Sequence, residues 1–211
     1  MTDTKKLYDA ILNGNAKVAA EVTQAALAEG AEPGDLVAQC MIPAMDEVGR
    51  LFEAEEYFVP ELLLAGRAMK AALEYLRPLL AASGAKPSGK VIIGTVKGDL
   101  HDIGKNLVAA MLEGAGFEVT DLGTDVSPEK FVEAVGAKGA NIVCLSALLT
   151  VTMPAMKTTV DALSAAGIRD KVKVMIGGAP VTDQFAREIG ADSYSENASA
   201  AVASARKLVA V

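Results

Sequence analysis

A single histidine, His101, lies in the stretch Lys97-Gly98-Asp99-Leu100-His101-Asp102-Ile103-Gly104-Lys105-Asn106. Asp99 precedes it by two residues and Asp102 follows it directly. A carboxylate beside an imidazole accepts the proton of one ring nitrogen, fixes the tautomer and makes the other nitrogen a better metal ligand. One imidazole with acidic neighbours does not make the four-ligand nitrogen and sulfur set of a zinc site. A metal at His101 would have to bring most of its coordination with it, in a macrocycle. A solvated loop histidine without any ligand fits the same local pattern.

Two further stretches hold residues that could face a ligand. Cys144-Leu145-Ser146-Ala147-Leu148-Leu149-Thr150-Val151-Thr152 carries three hydroxyls, of which Thr152 is suited to cap the helix that follows. Gly177-Gly178 has no side-chain bulk, so the backbone can approach a ligand closely there, although a Gly-Gly pair is also an ordinary strand exit.

The elements that must position these stretches follow from the apolar pattern. From residue 90 onward, short apolar runs alternate with helical spacing: Val91 to Val96, Phe117 to Thr120, Ile142 to Ser146, Val172 to Ile176, and a weak run at Ser193 and Tyr194. Helices are expected over 103–114, 128–138, 153–166, 183–189 and 198–209. Near-continuous apolar strands alternating with helices predict a parallel sheet covered on both faces. Five such units fit a flavodoxin-like (Rossmann-like) α/β domain with strand order 2-1-3-4-5. In that order ligands bind beyond the carboxyl ends of the first and third strands, where strand order reverses. The histidine stretch and the hydroxyl stretch leave from those two ends, and the glycine pair leaves from the fourth strand beside them.

Before residue 81 the spacing is helical throughout. Leu7, Ile11 and Leu12 mark a first helix and Val18 to Leu27 a second. Leu36 to Phe52 mark a third with a kink or break at Pro43, and Leu62 to Leu80 a fourth with Pro60 at its start. A four-helix bundle over residues 1–85 and a sheet domain over 86–211 are expected, joined by the small-residue stretch 81–89.

Bulk composition bounds the function. The 211 residues are 51% hydrophobic with 4% aromatic and no Trp, so the core rests on aliphatic side chains and Met. A net charge of −7 without any basic cluster argues against a nucleic-acid or anionic-membrane partner. No run approaches the length of a membrane span and no apolar leader opens the chain, so the protein reads as cytoplasmic. Cys40 and Cys144 lie far apart in apolar stretches and read as buried thiols in a reducing compartment.

Gly98-Asp99-x-His101-Asp102-x-Gly104-Lys105-Asn106, Ser146-x-Leu148 and Gly177-Gly178 together resemble the cobalamin-binding domain in which a protein histidine displaces the cofactor's own base. Met45, Gly49, Phe52, Pro60, Glu61, Leu62, Arg67, Met69 and Lys70 are similar to the helical cap domain of methionine synthase. The whole resembles the free-standing corrinoid proteins of methanol, methylamine, glycine betaine and aryl-ether methyltransferase systems. The resemblance implies a cobalamin or related corrinoid bound base-off/His-on, with His101 as lower cobalt ligand. Asp99 would hydrogen-bond to its far nitrogen, and Thr152 would be the third member of the relay, where the family often has Ser. It implies that Gly98, Asp102, Ile103 and Gly104 surround the ligand, and that Ser146, Leu148 and Thr150 contact the displaced nucleotide tail. Gly177 and Gly178 would let that tail pass, with Tyr194 and Asn197 nearby.

Met45, Tyr57 and Phe58 are candidates for the cap surface over the corrin, and 81–89 is a candidate hinge. The implied role is a methyl carrier, not catalytic alone, cycling between cobalt(I) and methyl-cobalt(III). Its partners would be a substrate-specific methyltransferase, an acceptor methyltransferase using tetrahydrofolate or a thiol, and a reductive activase. The main alternative is a cobalamin-dependent sensor or regulatory module, although those usually carry a signalling or DNA-binding part for which this chain leaves no room. A mutase cobalamin subunit would not be expected to carry the four-helix cap. A receiver domain would need a phosphoacceptor Asp where Cys144-Leu145-Ser146 stands.

Overall fold

The computed structural model describes residues 4–83 and 86–210. It divides into two compact units, Met1–Pro87 with Glu113–Gly116, and Ser88–Leu112 with Phe117–Val211.

The first unit is helical. Helix α1 (Thr4–Leu12) buries Leu7, Ala10 and Ile11, one face at helical spacing. The side chain of Asn15 accepts the amide of Val18 at 3.1 Å and so caps α2 (Ala16–Ala28). Gly14 between them has φ +67°, and a Cβ there would lie 2.5 Å from Cβ of Leu64, so only glycine fits this turn.

The third helical segment passes Pro43 without the early break that was the alternative to a kink there. It runs as α3 (Pro33–Leu36), a π-helical turn (Val37–Met41) and α4 (Ile42–Glu53). Proline lacks an N–H and its ring clashes with the carbonyl four residues back. The wider π turn lets the chain pass into α4 with Pro43 as its second residue, where no amide is needed. Helix α5 (Val59–Ser83) buries Leu62, Met69 and Leu76 at intervals of seven, with Ala65, Ala68 and Ala72 between them. It carries Pro78 inside it and runs to Ser83, so the expected connecting stretch 81–89 begins within a helix. Gly84 and Ala85 of that stretch lie outside the described residues.

The second unit is a five-stranded, all-parallel sheet in the order β2-β1-β3-β4-β5, with β1 Lys90–Thr95, β2 Glu118–Asp121, β3 Ile142–Ser146, β4 Lys173–Gly177 and β5 Ser193–Tyr194. The crossovers are α6 (Ile103–Gly114), α7 (Pro128–Lys138), α8 (Pro154–Ala165) and α9 (Asp183–Ile189), and α10 (Ala198–Val209) follows β5. One sheet face buries Ile92, Val143, Leu145, Val174 and Ile176 against Phe131, Val135, Met156, Val160 and Leu163 of α7 and α8. The alternate residues Val91, Ile93, Cys144 and Met175 are buried on the other face, as the two-residue period of a strand requires. Gly94 makes room for Phe131, whose ring would lie 2.8 Å from an added Cβ. Both cysteines are buried and free, and burial pushes the Cys144 thiol up to about 12, which makes it a core residue.

Candidate functional site

The carboxyl ends of β1 and β3 are neighbours, with Thr95 in register with Ser146. The loops that leave them meet at one buried carboxylate. Asp99 is 0% exposed. Its Oδ1 accepts the backbone amide of His101 at 3.0 Å and lies 2.8 Å from the ring Nδ1 of the same residue. Its Oδ2 accepts the amide of Leu148 at 2.8 Å and the hydroxyl of Thr152 at 2.7 Å.

Burial, the largest influence, pushes this carboxyl up, but the Leu148 and His101 amides, the Thr152 hydroxyl and the imidazole outweigh it. Together they hold Asp99 well below the usual carboxylate range. Asp99 is therefore ionised and can only accept, so Nδ1 of His101 must carry the proton it donates. In the neutral ring the lone pair is then on Nε2. The His101 side chain is 51% exposed.

The backbone of the histidine loop is also fixed. The Thr95 hydroxyl donates to the carbonyl of His101 at 2.8 Å. Gly98 has φ +85°, a left-handed conformation that suits glycine, and its amide donates to Asp125 Oδ1 at 2.8 Å. The amide of Asp125 in turn donates to the Asp99 carbonyl at 2.9 Å. Neither Thr95 nor Asp125 was singled out from the sequence. Thr95 reads as one more strand residue, and Asp125 lies 26 positions from Asp99 with no spacing to connect them.

The other expected site residues divide by what they do. Thr152 does not cap α8: Met153 occupies the capping position, and the Thr152 hydroxyl turns to Asp99, with the Leu149 carbonyl 2.9 Å away. Leu148 supplies its amide while its side chain stays exposed. Asp102 bonds to Asn106 at 3.0 Å, while the imidazole partner is Asp99. Asn106 also accepts from the buried Lys105 ammonium, which pairs with Asp121 at the end of β2 and ties the start of α6 to the sheet.

Ile103 and Gly104 open α6, both exposed, with open space where a Gly104 Cβ would stand. Ser146 is half-buried and Thr150 lies exposed in the turn after β3. Gly178 has φ +134°, and a Cβ on it would meet the Ala147 carbonyl oxygen at 1.8 Å. At Gly177 a Cβ would meet the Ser195 carbonyl oxygen at 3.1 Å. The close approach that these glycines permit is therefore between strand ends of the protein itself. Asn197 caps α10 by accepting the amide of Ala200 at 2.8 Å, and Tyr194 packs against the sheet core. In the helical unit Met45 is buried, the Tyr57 hydroxyl donates to the Leu12 carbonyl at 3.3 Å, and Phe58 is exposed.

The histidine and hydroxyl loops expose Leu100, Ile103, Leu148, Leu149 and Val151. Apolar side chains grouped on surface loops mark a surface that something covers. Among the described residues no cluster of three or more His, Cys, Asp and Glu could hold a metal ion. The donor set is one fixed imidazole beside apolar surface, which fits a metal already held by a flat, largely apolar macrocycle and would not hold a bare ion. Among the described residues no helix is long and apolar enough to cross a membrane.

A family described as B12 binding domain matches residues 89–203, and a second of the same description matches residues 4–77. The chain is similar to the dimethylamine corrinoid protein of Methanosarcina barkeri, 42% identical over 98% of this chain and 97% of that one. It is 44% identical to trimethylamine corrinoid protein 2 of Methanosarcina mazei, over 98% and 95% of the two chains. Its structure is similar to a chain of the methanol:cobalamin methyltransferase complex MtaBC from Methanosarcina barkeri, with TM-score 0.87 and 33% identity over 98% and 79% of the two. With one histidine fixed at the sheet's switch point and these relatives spanning nearly the full length, the chain belongs to the B12-binding corrinoid proteins.

Proposed function

We propose that this protein carries a methyl group on a corrinoid bound base-off, with Nε2 of His101 as the lower ligand of cobalt. The observation that carries the reading is the Asp99 carboxylate, which accepts a hydrogen bond from Nδ1–H and so leaves the lone pair of the neutral ring on the other nitrogen. The corrinoid supplies a cobalt centre that accepts a methyl group from one molecule and yields it to another. The protein's own part is binding, orientation and tuning. Asp99 draws on the Nδ1 proton and raises the electron density at Nε2, strengthening it as a ligand. Leu148, Thr152 and the His101 amide hold Asp99, so the ring keeps one orientation. The exposed Leu100, Ile103, Leu148, Leu149 and Val151 offer an apolar seat that excludes water beneath the macrocycle.

The methyl donor and acceptor are handled by partner enzymes. The expected partners are a substrate-specific methyltransferase, a methyltransferase that passes the group to a folate or thiol, and a reductive activase. A similar chain has been solved in complex with a methanol:cobalamin methyltransferase, which supports the first of these. Relatives named for dimethylamine and for trimethylamine match at near-equal identity, so the donor is chosen by the partner and by local contact surface. These relatives also favour the carrier over a sensor or regulatory module.

The test is spectroscopic. Protein reconstituted with hydroxocobalamin and reduced to cobalt(II) should show electron-spin coupling to one axial nitrogen. That coupling should change from a triplet to a doublet pattern when only histidine is labelled with 15N. His101→Gly should lose it. Wild-type protein that binds no corrinoid, or whose pattern ignores the label, would sink the proposal.

A further inference from the structure

We infer that Asp125, in the loop between β2 and α7, is a positioning residue that sets the reach of His101. The inference rests on His101 being the cobalt ligand.

Asp99 is held at two places. Its carboxylate is fixed by the loop after β3, through Leu148 and Thr152. Its main chain is gripped by Asp125, whose amide donates to the Asp99 carbonyl at 2.9 Å and whose Oδ1 accepts the Gly98 amide at 2.8 Å. The two bonds engage residues 98 and 99 together, and Gly98 is in a left-handed conformation that gives the loop freedom to pivot. The carboxylate anchor fixes where the imidazole proton points. The main-chain anchor fixes how far the ring stands from the sheet.

Asp125 itself has φ +52°, a region that costs most side chains energy and that aspartate and asparagine tolerate better than others. Glycine would satisfy the backbone there but would leave the Gly98 amide without its acceptor. The conformation and the acceptor are thus wanted at the same position, and both serve the histidine loop.

Asp125→Gly keeps the backbone and removes the acceptor, whereas Asp125→Asn keeps an acceptor oxygen and removes the charge. Full-length protein reconstituted with hydroxocobalamin is titrated for the cobalt(II)/cobalt(I) midpoint potential. Loosening the loop should weaken axial binding to cobalt(II) about fivefold, the worth of one net hydrogen bond. For a one-electron couple that raises the potential by about 40 mV. Asp125→Asn should stay within about a third of that shift.

A glycine variant indistinguishable from wild type overturns the inference, and so does an asparagine variant shifted as far as the glycine one, since charge alone would then explain it. Wild-type protein without 15N-histidine coupling instead sinks the ligand reading on which the inference rests. A second measurement needs no corrinoid. The protein has one histidine, so 15N-histidine labelling of the apo form gives one ring, and exchange of its Nδ1 proton with water should quicken about fivefold in Asp125→Gly and not in Asp125→Asn. Equal exchange in all three proteins counts against the inference.

Discussion

Asp99 illustrates how a charge survives without solvent. An unpaired buried carboxylate would be protonated, but four donors make the ionised form the stable one here. Thr152→Val keeps the shape and removes one of those donors from Oδ2, so it should cost about 1–3 kcal/mol in urea unfolding of the apo protein, with Thr152→Ser recovering most of it. A pH dependence follows. The folded carboxyl sits below the ordinary value of about 3.9, so the unfolded chain binds the extra proton in the interval between the two. The stabilisation from Asp99 is therefore complete above about pH 5 and is lost as the pH falls through 4 and below. The gap in stability between wild type and Asp99→Asn should narrow over that range, and a constant gap would contradict the assignment. At this scale the sequence yields what side-chain type and short spacing can reveal. Asp99 and His101 are two apart, and their relation is visible in a strand-end loop. Asp125 and the Leu148 amide are not visible, because they act through backbone groups whose direction depends on φ angles and on strand register.

Elements were legible where apolar period and punctuation agree. Helices α6 to α10 and the β3 and β5 strands lie where the sequence puts them, and each of those helices has a Gly, Asn, Pro or Thr at one end or both that stops or caps it. The fourth helix was read through Pro78 to Leu80, as observed, but unbroken passage of the third helical segment through Pro43 was not legible, because helix packing overrides a local breaker when neighbouring bonds can rearrange. Two substitutions test the element-level account. Leu76→Ala removes a fully buried side chain from the α5 seam and should cost about 2–5 kcal/mol, read from the unfolding midpoint of the apo protein. Gly178→Ala forces a Cβ into the Ala147 carbonyl at a left-handed φ. It should cost more than about 2 kcal/mol by separating the ends of β3 and β4, and should lower thermal stability even in apo protein. If Gly178 served only a ligand, the apo protein would be unaffected.

The whole molecule combines a helical unit and a sheet unit, and each group that holds His101 belongs to the second. Asp99, Thr95, Asp125, Leu148 and Thr152 all fall within Ser88–Leu112 or Phe117–Val211. The sheet buries residues on both faces, Phe131, Ile92, Val143 and Leu163 on one and Val91, Ile93 and Met175 on the other, as a domain with its own core does. A fragment spanning residues 88–211 should therefore show cooperative thermal unfolding. When reconstituted with hydroxocobalamin and reduced, it should show the same histidine nitrogen coupling as the full chain, because the hydrogen bonds described for Asp99 and His101 all lie within it. Its His101→Gly form should not. Loss of the coupling in a fragment that unfolds cooperatively would mean that the geometry of His101 is set from the helical unit, contrary to the hydrogen bonds described for Asp99. Retention would assign the geometry of His101 to the sheet unit.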